Sequence, residues 1–125
     1  MNRKLRASVF TAALALTAFG LAGCSSPQPQ TVVGMWGVPE TPGETSLEFT
    51  EEGSYSGSDG CNVVGGQWEL ESDGKTVDLG VMHSTLMYCE DVDVWLVDPA
   101  TAEIDGDKMV IRNSAGDELG TLERG

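Results

Sequence analysis

The chain has 125 residues, and the 102 from position 24 onward have room for one small domain with a single core, and not for two. Twenty Asp and Glu stand against seven Lys and Arg, a formal net charge of −13, and a surface that acidic repels nucleic acid and anionic lipid headgroups. A charged partner, if there is one, is cationic.

The N-terminus reads as an export signal. Arg3, Lys4 and Arg6 form a short positive segment, and Val9 to Ala22 follows as an uncharged apolar stretch. That stretch is too short for an ordinary spanning helix. It ends in Leu21-Ala22-Gly23-Cys24, which resembles the lipobox of bacterial lipoproteins. An ordinary signal-peptidase site holds a small residue three places before the cut. Leu21 occupies that place, so lipidation fits better than plain secretion. Residues 1–23 are therefore expected to be removed and Cys24 to receive lipid, palmitate included. Cleavage leaves Lys75, Lys108, Arg112 and Arg124 against the same 20 acids, four minus 20, or −16. The acids are spread along the chain, which fits a solvated face better than a site. Residues 24–31 read as a flexible tether, since Ser25 to Thr31 holds neither an apolar nor a charged side chain. The domain is expected over 32–125. No later apolar run is long enough to span a bilayer. Membrane contact then rests on the lipid, with the domain outside the cytoplasm on the cell membrane or the outer membrane.

From residue 32 the hydrophobic period is mostly two. Leu47 and Phe49 alternate with Ser46 and Glu48, and Trp68 and Leu70 with Gln67, Glu69 and Glu71. Val77 and Leu79 flank Asp78. This is the pattern of half-buried antiparallel strands. Glu52-Gly53, Asp59-Gly60, Asp73-Gly74 and Asp105-Gly106 are turn signals. Asp73-Gly74 is predicted to join strands at Gln67–Glu71 and Thr76–Leu79. Asp105-Gly106-Asp107 is predicted to join Ala102–Ile104 to Lys108–Arg112, and Ser114 to Asp117 to lead into a last strand at Glu118–Leu122. One stretch departs from the period. Glu90 to Asp98 sets Val92, Trp95 and Leu96 at helical spacing, with acids at the start and Pro99 at the end. It predicts a short helix held by packing Trp95 on the sheet.

These residues resemble the META domain family, which includes HslJ-like lipoproteins. The resemblance runs from about Val33 to Leu122. Gly34-Met35-Trp36 is similar to the family's early tryptophan strand. Leu47-Glu48-Phe49 and Gly53-Ser54-Tyr55-Ser56-Gly57 are similar to its strand-turn-strand. Gly60, Cys61 and Asn62, with Gly65 and Gly66, look like its G-C-N…G signature. Thr85, Met87 and Cys89 look like its T-x-M-x-C segment, and Gly106 to Ile111 like its closing hairpin. The family's helix between Cys89 and Ile104 is longer and carries a glutamate, whereas here proline cuts it early. The resemblance implies a mainly β fold, an α+β arrangement of antiparallel strands in a partial barrel with one short helix. It implies no enzyme, and it links the family loosely to envelope stress and drug tolerance.

Little in the side chains points to chemistry. With Cys24 given to lipid, Cys61 and Cys89 remain as an even pair in an exported domain, which favours a disulfide. The alternative is a reactive thiol or a metal ligand. A metal site would need more soft ligands than the single His83 supplies. Ser84 adjoins His83, but strand neighbours point to opposite faces, against a catalytic triad. A close pair of carboxylates is expected by chance among so many acids. Glu90-Asp91-Val92-Asp93 and Asp105-Gly106-Asp107 fail the spacing of a calcium loop. Trp36, Trp68 and Trp95 are expected in the core, with lining of a ligand cavity as the alternative, chiefly for Trp95. The sequence thus predicts a non-enzymatic envelope module without metal or cofactor, bound to the membrane by lipid and to an unknown envelope protein. The second reading is a carrier of a small apolar ligand, in a barrel cavity rimmed by Trp95, Met82, Met87 and Met109. A cell-wall hydrolase is third.

Overall fold

A computed structural model describes residues 31–125. The signal segment, Cys24 and the tether up to residue 30 lie outside the described residues.

Among the described residues, ten strands form two antiparallel sheets. The first holds β1 (Gly34–Gly37), β2 (Ser46–Phe49), β3 (Ser54–Ser58), β4 (Val63–Gln67) and β7 (His83–Ser84), in the order β1-β2-β3-β4-β7. The second holds β5 (Glu69–Leu70), β6 (Thr76–Asp78), β8 (Pro99–Asp105), β9 (Lys108–Asn113) and β10 (Glu118–Glu123), in the order β10-β9-β8-β6-β5. The alternation read from the sequence becomes the two inner faces. Leu47, Phe49, Tyr55 and Val64 point inward from the first sheet, and Val77, Ala102, Met109, Ile111 and Leu122 from the second. Trp36 and Trp68 are buried with them, and Trp95 is half-buried against the same cluster. Each buried indole keeps a partner: Trp36 Nε1 donates to the Val32 carbonyl at 2.8 Å and Trp68 Nε1 to the Thr50 carbonyl at 3.1 Å.

The predicted turns fall in place. β5 pairs with β6 around Gly74, at φ +75°. There Asp73 accepts from the Thr76 hydroxyl and from the Thr76 and Lys75 amides, bonds that hold its exposed carboxyl down at about 2. β8 and β9 meet through the two-residue loop Gly106-Asp107, with glycine first at φ +59°, as a type II′ turn requires. The Asn113 side chain accepts from the Ala115 and Asp117 amides and closes the β9–β10 turn.

Two expectations are corrected. The sheets do not close into a barrel. Their near edges, β1 and β10, touch through a single bridge, Trp36 to Arg124. On the other side the strand run breaks at Trp68, whose amide turns aside to the Gly53 carbonyl, and β7 takes the free edge of β4. The described residues contain no α-helix, and the one predicted over Glu90–Asp98 is absent. Val92, Val94 and Val97 are β-branched and disfavour a helix this short. Asp91 and Asp98 sit at φ +61° and +48°, so both ends are left-handed. Leu96 is buried without a helix, and Pro99 already belongs to β8.

Tyr55 gives the fold an alkaline limit. Its hydroxyl is buried and donates to the Leu79 carbonyl at 2.9 Å. Burial, helped by the charge of Asp78, pushes its pKa from 10.0 to about 12. The unfolded chain gives up this proton near pH 10 and the folded chain does not. The contribution is therefore complete below pH 10 and is lost as pH rises towards 12, by roughly 2 kcal/mol. In urea melts, Tyr55→Phe is expected to be about 1–3 kcal/mol less stable at pH 7, because the Leu79 carbonyl loses its partner. Its loss of stability between pH 10 and 12 should be shallower than wild type. Parallel slopes in the two chains would exclude Tyr55 as the cause.

Candidate functional site

All six signature residues meet at one place, a clasp between the β3–β4 turn and the segment after β7. The turn is organised by Asp59, a buried carboxylate. Its Oδ1 accepts from the Cys61 and Asn62 amides at 2.8 and 2.5 Å, and its Oδ2 from Asn62 Nδ2 at 3.3 Å. Gly60 adopts φ +100°, and its amide donates to Ser58 Oγ at 3.0 Å. This aims the Asn62 side chain outward. Asn62 Oδ1 accepts from the Met87 amide at 2.6 Å and from Thr85 Oγ1 at 3.2 Å. Thr85 Oγ1 accepts in turn from the Val63 amide at 3.1 Å, and the Thr85 amide donates to the Val63 carbonyl at 3.0 Å. Cys61 and Cys89 are joined by a disulfide, with Cα atoms 5.7 Å apart. The pairing expected from cysteine arithmetic is therefore present.

The sequence reading missed the hub. Asp59 appeared there only as half of an Asp-Gly turn signal. Its signal was available: an aspartate two and three residues ahead of the amides it accepts is the Asx-turn pattern. His83 stands exposed on β7, with its ring over Gly65, where an added Cβ would lie 2.8 Å from Nε2. Ser84 Oγ donates to the Thr85 carbonyl. Among the described residues no group of three or more His, Cys, Asp or Glu is placed to hold a metal ion.

A cleft of about 660 Å³ opens along the β1 and β10 edges and is lined by Val38, Glu44, Trp95, Asp105, Lys108 and Arg124, among others. It is charged and open. Trp95 reaches it by lying flat on Gly120, where an added Cβ would meet the ring at 2.6 Å. Arg124 is committed elsewhere. Its guanidinium stacks on Trp36 at 4.1 Å, donates to the Thr31 and Val33 carbonyls and pairs with Asp107 at 3.6 Å. The methionines expected to rim a cavity with Trp95 are dispersed: Met109 is buried in the core, Met82 half-buried against it and Met87 exposed.

Fold and clasp together define a small disulfide-stapled β domain of two open antiparallel sheets. The chain belongs to the META domain family, whose model matches residues 12–125. No curated protein and no solved structure gives a significant match.

Proposed function

We propose that this is a lipid-anchored, extracytoplasmic, HslJ-like META protein acting as a non-enzymatic binding or structural module of the cell envelope, in the setting of envelope stress or drug tolerance. The observation that carries this reading is the use of the side chains that form the clasp. Asp59, Asn62, Thr85 and the two cysteines spend their polar atoms on one another. That is the behaviour of a scaffold that holds a loop, whereas a catalytic group needs a reactive atom turned to a substrate. The mature charge of −16 argues against phosphate-rich partners, and nucleic acid is not among those proposed.

Two measurements test the reading. Cys24→Ala should accumulate as unprocessed precursor or release the domain in soluble form, while wild type fractionates with membranes and takes up labelled palmitate. Processing and membrane fractionation unchanged in the variant would remove the anchor. Purified chain incubated with peptidoglycan should release no fragments. Release that disappears on replacing one carboxylate would replace the module with an enzyme.

A further inference from the structure

We propose that the loop Thr85–Tyr88 is the docking surface of this module, and that its occupant is a basic segment of a partner protein. The proposal rests on reading the chain as a binding module. Leu86 is 100% exposed, Tyr88 90% and Met87 59%, and Val63, bonded through its backbone to Thr85, is 63% exposed. Single exposed apolar side chains are ordinary, but three in succession with a fourth beside them form a patch. None of the four contributes to the core. Yet the loop is fixed at both ends, by the Thr85–Val63 bonds and by the Cys89 disulfide, and in the middle by Asn62 on the Met87 amide. Three exposed apolar side chains thus stand on backbone that is bonded at both ends and in the middle. Such preorganisation lowers the entropy lost on binding, and exposed tyrosine is a frequent anchor of protein interfaces.

Charge selects the occupant. Glu90, Asp91 and Asp93 are exposed and follow just after Cys89. Behind the disulfide, a groove lined by Glu40, Glu44, Cys61 and Cys89 adds two more carboxylates. Lys75 lies in the β5–β6 turn, Lys108 and Arg112 on β9, and Arg124 just after β10, so none of these cations belongs to the loop. An apolar tip between acidic flanks complements a lysine- or arginine-bearing segment with an apolar site. A second copy of this chain would bring like charges together, and an anionic membrane would meet the same acids.

The test uses the full chain in cells, with a photo-crosslinking phenylalanine analogue in place of Leu86 or Tyr88, and in place of Glu52 or Ala115 as controls. Adducts from 86 and 88 are expected to map to a protein segment rich in lysine and arginine. A synthetic peptide of that segment should bind the purified full chain. Leu86→Ser with Tyr88→Ser should weaken this binding at least about tenfold with an unchanged melting curve, as loss of interface anchors does. Raising salt from about 0.1 to 1 M should weaken it as well. Adducts to lipid, to a second copy of the chain or to an acidic segment would overturn the proposal, as would peptide binding indifferent to the double variant. Adducts from 52 or 115 alone would sink the loop and leave the binding module standing. No adducts from any position would count against both.

Discussion

Reducing the Cys61–Cys89 disulfide is expected to lower the melting temperature by more than about ten degrees. The bond spans a sequence separation of 28 residues. Opening a loop of that size restores roughly 3–4 kcal/mol of chain entropy to the unfolded state. A domain this small holds only about 5–10 kcal/mol in all, so the disulfide is a large share. At about 4–8 °C per kcal/mol the shift follows. The folded state also loses. The bond ties the end of the Thr85 segment to the turn that Asp59 organises, leaving only Asn62 and the Thr85–Val63 bonds to hold it. Cys61→Ser with Cys89→Ser should reproduce the effect of reductant. Mass spectrometry of the unreduced chain should find the two peptides joined. An unchanged melting temperature in the double variant, or two free thiols under oxidising conditions, would contradict the assignment.

What the sequence disclosed and what it concealed divide along physical lines. Strand faces were legible because alternation is a local signal: Leu47 and Phe49 point inward as their spacing requires, and Gly74 and Gly106 turn where glycine precedes the return strand. The segment from Glu90 to Asp98 was misread because Val92, Trp95 and Leu96 fit a helical period over only nine residues. Tertiary demands settled it otherwise. Cys89 is fixed to Cys61, Val92 lies beside Gly60, Trp95 lies on Gly120 and Leu96 is buried in the core. Anchors on both sheets fix the path of the segment. That the sheets stay open was hidden for a similar reason, since the one bridge between β1 and the end of β10 joins Trp36 to Arg124, 88 positions apart. The clasp was legible as a motif and not as a mechanism. Gly60, Cys61, Asn62, Thr85, Met87 and Cys89 were found together, but that Asn62 serves the Met87 amide depends on an orientation set by Asp59.

Gly57→Ala should be the most damaging single methyl in the first sheet. Alanine for glycine in a strand is ordinarily favourable by about 0.5–1 kcal/mol, because the unfolded chain loses freedom. Here the space decides against it. A Cβ at Gly57 would lie 1.9 Å from the Ser46 carbonyl oxygen, 2.8 Å from its carbon and 2.9 Å from Leu47 Cα. All three atoms are backbone, so no side chain can swing away. β2 is also held on its other side. Gly37 of β1, at φ +92°, would place a Cβ 2.2 Å from the Thr45 carbonyl. The start of β2 thus runs in a channel that two glycines leave open. Moving it would break the pairing of Leu47 with Gly57 and of Ser46 with Ser58, and would displace Leu47 and Phe49 from the core. Overpacking a well-packed core costs about 1–3 kcal/mol, and a Cβ driven into backbone atoms lies at or above the upper end. Against a total of about 5–10 kcal/mol, a loss of that size is a large share. Gly57→Ala should melt at much lower temperature or fail to show a cooperative transition, whereas Ser56→Ala, exposed on the same strand, should stay within about 0.5 kcal/mol of wild type. A Gly57→Ala chain as stable as the Ser56→Ala chain would mean that β2 does not approach β3 this closely.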